Sequence, residues 1–313
     1  MTGSGGGIRS WGPASMDALF SHSLLVVTGK GGVGKSTVAA ALGIAAHRRG
    51  LRTIVVEVAA RDDVSRMLDP SAAGAPPGGG PEHISIDPQR AMEEYLREQL
   101  PVGALAALLS RSRIFTTLTA ATPGMRELLT IGKVWELAAQ QRSDDGPSYD
   151  LVVLDAPATG HGLAMLQAPR TFASIARVGP VARQGRTIAS FLADPQRTAV
   201  VAVSSAEEMP VTETLELRSH LREQLGLDLT LTIVNAVVSH RFSAREERTL
   251  AAAPPSAARH AALYSASWAR HQRIQIARLR TGMRDVGLLT LPFIFESALD
   301  WAALELLSQE LDL

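Results

Sequence analysis

Six short segments of apolar and β-branched residues recur along the chain, and stretches with a helical period separate them. Segments of this length and composition are typical of β-strands, and strands that are apolar on both faces are typical of parallel sheets. The pattern predicts an α/β fold, with a mostly parallel sheet that carries helices on both faces. The predicted strands are Leu24–Thr28, Thr53–Val58, Leu151–Leu154, Thr198–Val203, Leu229–Asn235 and Leu288–Leu291.

The distribution of these strands indicates a single folded unit. Because strands recur almost to the C-terminus, we expect residues 23–313 to form one domain, preceded by a flexible glycine- and serine-rich tail at 1–22. A helical insertion occupies about 90–145, and its clearest helical period runs over 125–141. The insertion is either an ordinary helical layer beside the sheet or a helical subdomain that offers a surface to a client protein.

An eight-residue motif follows the first predicted strand. Residues 29–36 read Gly-Lys-Gly-Gly-Val-Gly-Lys-Ser and fit the phosphate-loop pattern G-x-x-x-x-G-K-[ST]. An alanine-rich helical stretch comes next, so the motif has the strand–loop–helix context that it requires. Such a loop binds phosphates through backbone N–H groups, with Lys35 on the β- and γ-phosphates and Ser36 on Mg²⁺. The sequence therefore predicts a P-loop NTPase that binds its nucleotide through Gly29, Lys30, Gly31, Gly32, Val33, Gly34, Lys35, Ser36 and Thr37.

A second candidate element is the carboxylate that ends the third predicted strand. Asp155 directly follows the apolar run Leu151–Leu154, the position from which a P-loop NTPase handles Mg²⁺, here through a water molecule. The loop Ala156–Gly162 then lies at the carboxyl end of the strand, where ligands bind in such sheets. His161 in this loop either responds to the γ-phosphate or caps a turn.

Composition narrows the classes of function. The chain has 31 Lys and Arg against 31 Asp and Glu, so it lacks the basic charge typical of proteins that bind nucleic acid. No apolar run reaches the ~18 residues of a membrane span, and no apolar signal segment opens the chain. With the nucleotide motif, this predicts a cytoplasmic protein. The absence of cysteine excludes disulfides and thiolate metal sites.

The motifs together resemble those of one family of P-loop NTPases (SIMIBI class). The loop with its second lysine, Lys30, resembles the deviant Walker A motif of the nitrogenase-iron-protein, Min and Par ATPases. The segment Asp155–His161, continuing to Leu166-Gln167-Ala168-Pro169, is similar to that of the arsenite-pump ATPases and of the ATPases that target tail-anchored membrane proteins. Further matches, all within about 24–300, are Ile86-Asp87-Pro88, Pro123-Gly124-Met125 with Glu127, Glu213 with Thr214, and Asn235.

The resemblance implies roles for individual residues. Lys30 would reach the phosphates of a partner subunit, which makes hydrolysis depend on dimerisation. Asn235 would read adenine, and Pro292 and Phe293 would lie against the base. Asp155 would hold the Mg²⁺-bound water, and Gly160 would let its loop respond to the γ-phosphate. The implied cofactors are ATP and Mg²⁺.

Departures from the family pattern limit what can be transferred. Glu57 stands where the family has an aspartate followed by Pro-Ala-His-Asn, and here Val58-Ala59-Ala60-Arg61 follows. Glu57 is either a catalytic carboxylate that orients the attacking water or a strand-end carboxylate without that duty. The arsenite-binding thiolates and the zinc-binding Cys-x-x-Cys pair of two family branches are absent. These features indicate a bacterial, actinobacterial member that forms a homodimer or a heterodimer with a related subunit.

Four functions are compatible with these motifs and departures. We expect a dimeric ATPase switch that couples nucleotide state to a client or partner protein, with Lys30, Lys35, Glu57 and Asp155 as catalytic residues. The alternatives are a nucleotide-binding regulatory subunit with weak or no hydrolysis alone, an anion-transport motor, and an ATPase positioned on DNA or membrane. Only the basic stretch Arg259–Arg284 supports the last, and it is more simply a solvated helix face or a dimer rim.

Overall fold

The computed structural model describes residues 13–58, 62–69, 71, 79–88, 90–91, 124–139, 149–175, 180–296 and 299–312. Seven strands in these ranges form one sheet, and each pairs parallel with its neighbours in the order β3-β2-β4-β1-β5-β6-β7. The predicted α/β fold is confirmed. The strands are β1 (Leu24–Gly29), β2 (Thr53–Val58), β3 (Glu82–Ile86), β4 (Leu151–Asp155), β5 (Thr198–Ser205), β6 (Leu231–Val237) and β7 (Gly287–Pro292).

Helices connect the strands and cover the sheet. The residues described form α1 (Pro13–Phe20), α2 (Lys35–Arg48), α3 (Asp63–Met67), α4 (Met125–Ala139), α5 (Thr159–Ile175), α6 (Pro180–Ala193), α7 (Glu208–His220), α8 (Ala244–Ala252), α9 (Ala257–Gly282) and α10 (Trp301–Glu310). A π-helical turn, Leu221–Leu225, continues α7. No helix in these ranges combines the length and the apolar character needed to cross a membrane.

Side chains that point alternately to the two faces of the sheet divide the core into two layers. In β1, Leu24 and Val26 pack into one cluster with α4, α5, α6, α7 and α9. Leu25 and Val27 pack into the other with α1, α2, α3 and α10. Successive side chains of a strand point to opposite faces, so a strand buried on both faces must be apolar throughout. This explains why the central strands were visible in the sequence.

Strand β3 (Glu82–Ile86) was missed in the sequence. It pairs only with β2, at the edge of the sheet, and its residues are alternately exposed and partly buried until Ile86. An edge strand has one hydrogen-bonded neighbour and less apolar surface to cover, so its composition is mixed. The six predicted strands are present, although β6 begins at Leu231 rather than Leu229.

The N-terminal tail predicted at 1–22 needs correction. Pro13–Phe20 form helix α1, and Met16, Leu19 and Phe20 are buried in the same cluster as α2 and α10. This apolar trio is spaced as one face of a helix, which anchors the segment to the core. The residues before 13 lie outside the part of the chain that is described.

The predicted helical insertion at about 90–145 is represented by α4. Ile131, Val134 and Ala138 of α4 are buried against the sheet in the cluster that contains α5 and α6. This part of the insertion is therefore a layer beside the sheet. Residues 92–123 and 140–148 lie outside the described ranges, so a subdomain with a client surface stays a prediction.

The order of the strands determines where polar side chains meet. Strand β1 lies between β4 and β5 in the middle of the sheet, and β2 is the next neighbour of β4. In the register of these strands, Val27 is opposite Asp155, and Asp155 is opposite Glu57. The carboxyl ends of β1, β4 and β2 thus bring the phosphate loop and two carboxylates to the same edge.

Candidate functional site

The phosphate loop connects β1 to α2, and its glycines are required by close packing. Gly29 has φ of 152°, and a Cβ there would lie 2.1 Å from the carbonyl oxygen of Val203 on β5. Gly34, the N-cap of α2, is left-handed with φ of 87°, and a Cβ there would lie 2.3 Å from Nδ2 of Asn235. Side chains are therefore excluded at both positions, and the backbone turns into the start of a 14-residue helix.

The two lysines of the loop have different surroundings. Lys35, the first residue of α2, donates from Nζ to the carbonyl oxygen of Lys30 at 3.1 Å, so its ammonium group lies over the loop. The Lys30 ammonium forms an ion pair with Glu213 of α7, and both side chains are about one-third exposed. Lys30 is thus directed towards a carboxylate of its own chain.

Ser36 and Asp155 meet across the sheet edge. The Ser36 hydroxyl donates to Asp155 Oδ2 at 2.6 Å. Asp155 is 6% exposed. Burial raises the pKa of Asp155, and the Asp63 charge adds to this, while the Ser36 hydrogen bond and the Lys35 charge oppose it. A buried carboxylate of this kind is expected to have a compensating partner when ionised.

The other oxygen of Asp155 has no such partner in the described part of the chain. Asp155 Oδ1 is buried and has no hydrogen-bond partner among the described residues. Buried polar atoms rarely stay unpaired, and this one fits a water molecule carried by Mg²⁺ that Ser36 would ligate. No group of three or more His, Asp or Glu side chains with metal-binding geometry occurs in the described ranges, so the phosphates would have to supply further ligands.

Glu57 is engaged by the backbone of α3. Its Oε1 accepts from the N–H of Asp63 at 3.0 Å, and its Oε2 accepts from the N–H of Val64 at 3.3 Å. Burial raises the pKa of Glu57, with further contributions from the Asp155 and Asp63 charges, against the two backbone hydrogen bonds. Both carboxylate oxygens therefore accept hydrogen bonds from the first turn of α3 in this arrangement.

A cavity of about 780 Å³ brings most of these groups together. Of the predicted site residues, it is lined by Gly31, Gly32, Gly34, Lys35, Ser36, Thr37, Glu57 and Asp155. His161 also lines it, as do Asp63, Arg66 and Met67 of α3, which the sequence analysis missed. No recognisable motif marks α3, because it follows the position where this chain departs from the family pattern.

Three predicted base-binding residues lie apart from this cavity. Asn235, near the end of β6, is behind the loop and donates from Nδ2 to the carbonyl oxygen of Val33 at 3.0 Å. Pro292 ends β7, and the N–H of Phe293 donates to the carbonyl oxygen of Val237 at 3.0 Å. The Phe293 ring packs edge-on against Phe295 and Trp268, with centroids 4.7 and 5.6 Å away. Asn235 therefore touches the phosphate loop, whereas Phe293 belongs to an aromatic cluster.

The two glycines near the start of α5 differ in the space around them. A Cβ at Gly160 would have no atom of the described chain within 4 Å. At Gly162 it would lie 2.8 Å from the carbonyl oxygen of Pro157 and 3.1 Å from Thr28 Oγ1. A side chain at Gly162 would therefore press on the preceding loop and on Thr28 of β1.

The basic stretch 259–284 lies mostly on helix α9. Arg270 forms an ion pair with Glu247 of α8, and Arg259 donates to the carbonyl oxygen of Ala251 at 2.6 Å. Two arginines of this stretch thus connect α9 to α8.

Comparison with known proteins shows which families the chain is similar to. The family model described as anion-transporting ATPase matches residues 22–178 and 173–252. ATPase BagA of Mycobacterium tuberculosis is 33% identical over 242 residues, which are 75% of this chain and 69% of BagA. ATPase GET3 of Candida glabrata is 26% identical over 263 residues, covering 71% of this chain and 74% of GET3. The arsenical pump-driving ATPase of Escherichia coli is 25% identical over 290 residues, which are 84% of this chain but 45% of that protein.

Proposed function

Because the chain belongs to the anion-transporting ATPase family, we propose that it binds and hydrolyses Mg-ATP as a dimeric switch whose nucleotide state controls the binding of a partner or client protein. The observation that carries the proposal is the Ser36–Asp155 pair at the start of α2, with Asp155 Oδ1 buried and unpaired among the described residues. Such an arrangement suits a carboxylate that holds water next to a metal ion on a phosphate loop.

The phosphate loop, Lys35, Ser36 and Asp155 would each have a different function in the cavity. The loop N–H groups and the Lys35 ammonium would bind and orient the β- and γ-phosphates. Ser36 and Asp155 would hold Mg²⁺, which would supply positive charge to offset the negative charge that develops in phosphoryl transfer. The Ser36 hydroxyl would contact the metal, which requires its hydrogen bond to Asp155 to rearrange. Asp155 would then accept hydrogen bonds from metal-bound water.

The orientation of Asn235 supports a preference for adenine. The carbonyl oxygen of Val33 only accepts hydrogen bonds, so the NH₂ group of Asn235 must face it. The amide oxygen and the second N–H are left for the base edge, and this pair matches the amino group and N7 of adenine. Guanine would present O6, an acceptor, to the amide oxygen. We therefore expect ATP to be preferred over GTP.

Dimerisation would involve Lys30. Its ion pair with Glu213 holds the ammonium within the chain, and a role on the partner's phosphates requires that this pair open. A partly exposed ion pair contributes only about 0–1 kcal/mol, so ATP between two subunits could compete with Glu213 for it. The partner would be a second copy or a related subunit, and the insertion at about 90–145 would supply the client surface.

Steady-state Mg-ATP hydrolysis tests this proposal, with the wild type beside Lys30→Ala and Lys35→Ala. We expect Lys30→Ala to bind ATP but to lose turnover, because its role is in the partner's site. Lys35→Ala should lose binding itself. Turnover that is independent of both protein concentration and Lys30 would contradict the dimeric switch.

The second candidate is a regulatory subunit that binds nucleotide and hydrolyses little alone. The hydrogen bonds of Glu57 favour it, because both carboxylate oxygens are occupied by α3 rather than directed to an attacking water. Wild-type protein that binds ATP tightly but turns it over only with a related subunit would support this alternative.

Transport of arsenite has weaker support. The match to the arsenical pump-driving ATPase of Escherichia coli covers 84% of this chain but only 45% of that protein, and the chain has no cysteine thiolate for As(III). A titration with arsenite should therefore leave ATP turnover unchanged.

A further inference from the structure

A β-bulge immediately follows Asn235. On β6 and β7, Val234 pairs with Thr290 and Val237 pairs with Pro292, so β6 carries one extra residue. Ala236, within this bulge, has φ of 58°, in the left-handed region that non-glycine residues seldom adopt. A strained backbone of this kind persists only where its surroundings hold it.

One side chain holds both sides of the bulge. Gln272 of α9 is 3% exposed. Its Nε2 donates to the carbonyl oxygen of Ala236 at 3.0 Å, and its Oε1 accepts from the N–H of Val238 at 2.7 Å. One amide group therefore satisfies a carbonyl and an N–H on either side of the irregularity. Without it, the buried N–H of Val238 and the partly buried carbonyl of Ala236 would both lose their hydrogen-bond partner.

The bulge in turn determines the direction of Asn235. Asn235 immediately precedes Ala236 and donates to the carbonyl oxygen of Val33 in the phosphate loop. The space around Asn235 is tight, because a Cβ on Gly34 would lie 2.3 Å from its Nδ2. A rotation of the peptide at Ala236 would move Asn235 against the loop or away from it.

We propose that Gln272 is a positioning residue for nucleotide recognition, which fixes Asn235 in the orientation that selects adenine. The proposal rests on the base-reading role proposed for Asn235. Gln272 itself need not touch the nucleotide. It acts through the backbone of Ala236 and Val238, and it lies 37 residues beyond Asn235 on a helix that no nucleotide-binding motif marks.

The test compares ATP, GTP and inorganic tripolyphosphate binding by four variants of the full chain. Gln272→Met keeps a side chain of similar length without its hydrogen bonds. Gln275→Met is the matched control, because Gln275 lies on the same helix and its Oε1 has no partner among the described residues. Asn235→Ala and the double variant Asn235→Ala/Gln272→Met complete a double-mutant cycle.

We expect Gln272→Met to weaken ATP binding by about tenfold or more and to reduce the preference for ATP over GTP. Asn235→Ala should have the same effect, and the double variant should be no worse than either single variant, because both changes remove one function. Tripolyphosphate binding should change less than ATP binding, and Gln275→Met should behave as the wild type. If Gln272→Met fails to fold, Gln272→Glu keeps the acceptor for Val238 but opposes the carbonyl of Ala236, and the same loss is expected.

Two results would overturn the proposal. Gln272→Met and Gln272→Glu could keep the wild-type preference for ATP, or the losses of the two single variants could multiply in the double variant. A different result would contradict the base-reading role of Asn235 itself: a wild type that binds ATP and GTP equally. A wild type that binds neither nucleotide would overturn both proposals.

Discussion

At the scale of single residues, the candidate site contains two carboxyl groups whose surroundings disfavour ionisation. Asp155 and Glu57 are both buried carboxyls with raised pKa values. Each is costly to ionise in the folded chain, and only Asp155 has an oxygen left without a partner in the described part of the chain. This difference supports the role proposed for Asp155 in holding a metal-bound water, since both oxygens of Glu57 already accept hydrogen bonds from α3.

Replacement of Asp155 by Asn should separate stability from activity. The amide removes a buried charge but still accepts from Ser36, so the apo protein should be as stable as the wild type or more stable at neutral pH. Because the pKa of Asp155 is raised in the folded protein, the free energy of unfolding of the wild type increases as the pH falls through that pKa. The free energies of unfolding of the wild type and Asp155→Asn should therefore converge at low pH. Turnover should drop by about 10- to 100-fold, because the metal-bound water loses its acceptor.

Chemical denaturation at several pH values and steady-state hydrolysis measure these two effects. An Asp155→Asn protein with full Mg-ATP turnover would remove Asp155 from the mechanism. An apo variant much less stable than the wild type would show that the carboxylate is structural.

The glycines after Asp155 make a matched pair. Alanine at Gly162 should lower the free energy of unfolding by about 1–3 kcal/mol, because its Cβ would press on Pro157 and Thr28. Alanine at Gly160 meets open space and favours the helix, so stability should be unchanged or slightly higher. Urea denaturation of both variants checks this. Equal costs at the two positions would contradict the packing of α5 against β1.

At the scale of elements, charged side chains attach helix ends to the sheet. Arg218 of α7 is buried and donates to Asp228 at 2.9 Å and Asp285 at 2.6 Å, residues that precede β6 and β7. Arg222 lies four residues on, in the π-helical turn, and pairs with the same two carboxylates. Burial alone would raise the pKa of Asp228, but its hydrogen bonds to the two arginines hold it at about 2.

Arg218→Met should therefore destabilise the fold in a pH-dependent way. We expect a loss of about 1–3 kcal/mol at neutral pH, because two carboxylates lose a buried donor. A depressed pKa gives stability that is present above the ordinary value of 3.8 and is lost as pH falls to about 2. The difference in free energy of unfolding between the wild type and Arg218→Met should thus narrow as the pH falls over that range. Denaturation at pH 7 and pH 3 measures it, and a constant difference would contradict the role of Asp228.

At the scale of the whole molecule, the sheet brings distant segments to one edge. The phosphate loop lies at the middle strand, with β4 and β2 on one side and β5 and β6 on the other. The cavity thus receives residues from the N-terminal third, from Asp155 and the segment after it, and from Leu299. Asn235 contacts the phosphate loop from outside this cavity. Lys30 and Glu213 extend the same edge towards α7.

Glu213→Gln tests whether this edge is where subunits pair. The change removes the charge that holds Lys30 within its own chain, so turnover that depends on dimerisation should increase, by a few fold for an ion pair worth about 1 kcal/mol. Hydrolysis as a function of protein concentration measures it, with Lys30→Ala/Glu213→Gln as the control that should stay inactive. Reduced turnover in Glu213→Gln would indicate that Glu213 itself serves the site.

Local sequence determined the features that depend on neighbouring residues. The phosphate loop, the apolar central strands and the position of Asp155 at a strand end are each visible within about ten residues, because strand and loop geometry follow from short-range periodicity and glycine. The same reasoning missed β3, whose mixed composition suits an edge, and it placed the folded N-terminus too late, because the contact of α1 with the core is long-range.

Tertiary structure alone decided which groups meet. Ser36 and Asp155 are 119 residues apart, and Val33 and Asn235 are 202 apart. The pairing of Lys30 with Glu213, the use of both Glu57 oxygens by α3 and the hold of Gln272 on the bulge likewise depend on strand order and burial. No local pattern encodes these contacts, because each is the meeting of segments that the parallel sheet, with its long crossovers, brings side by side.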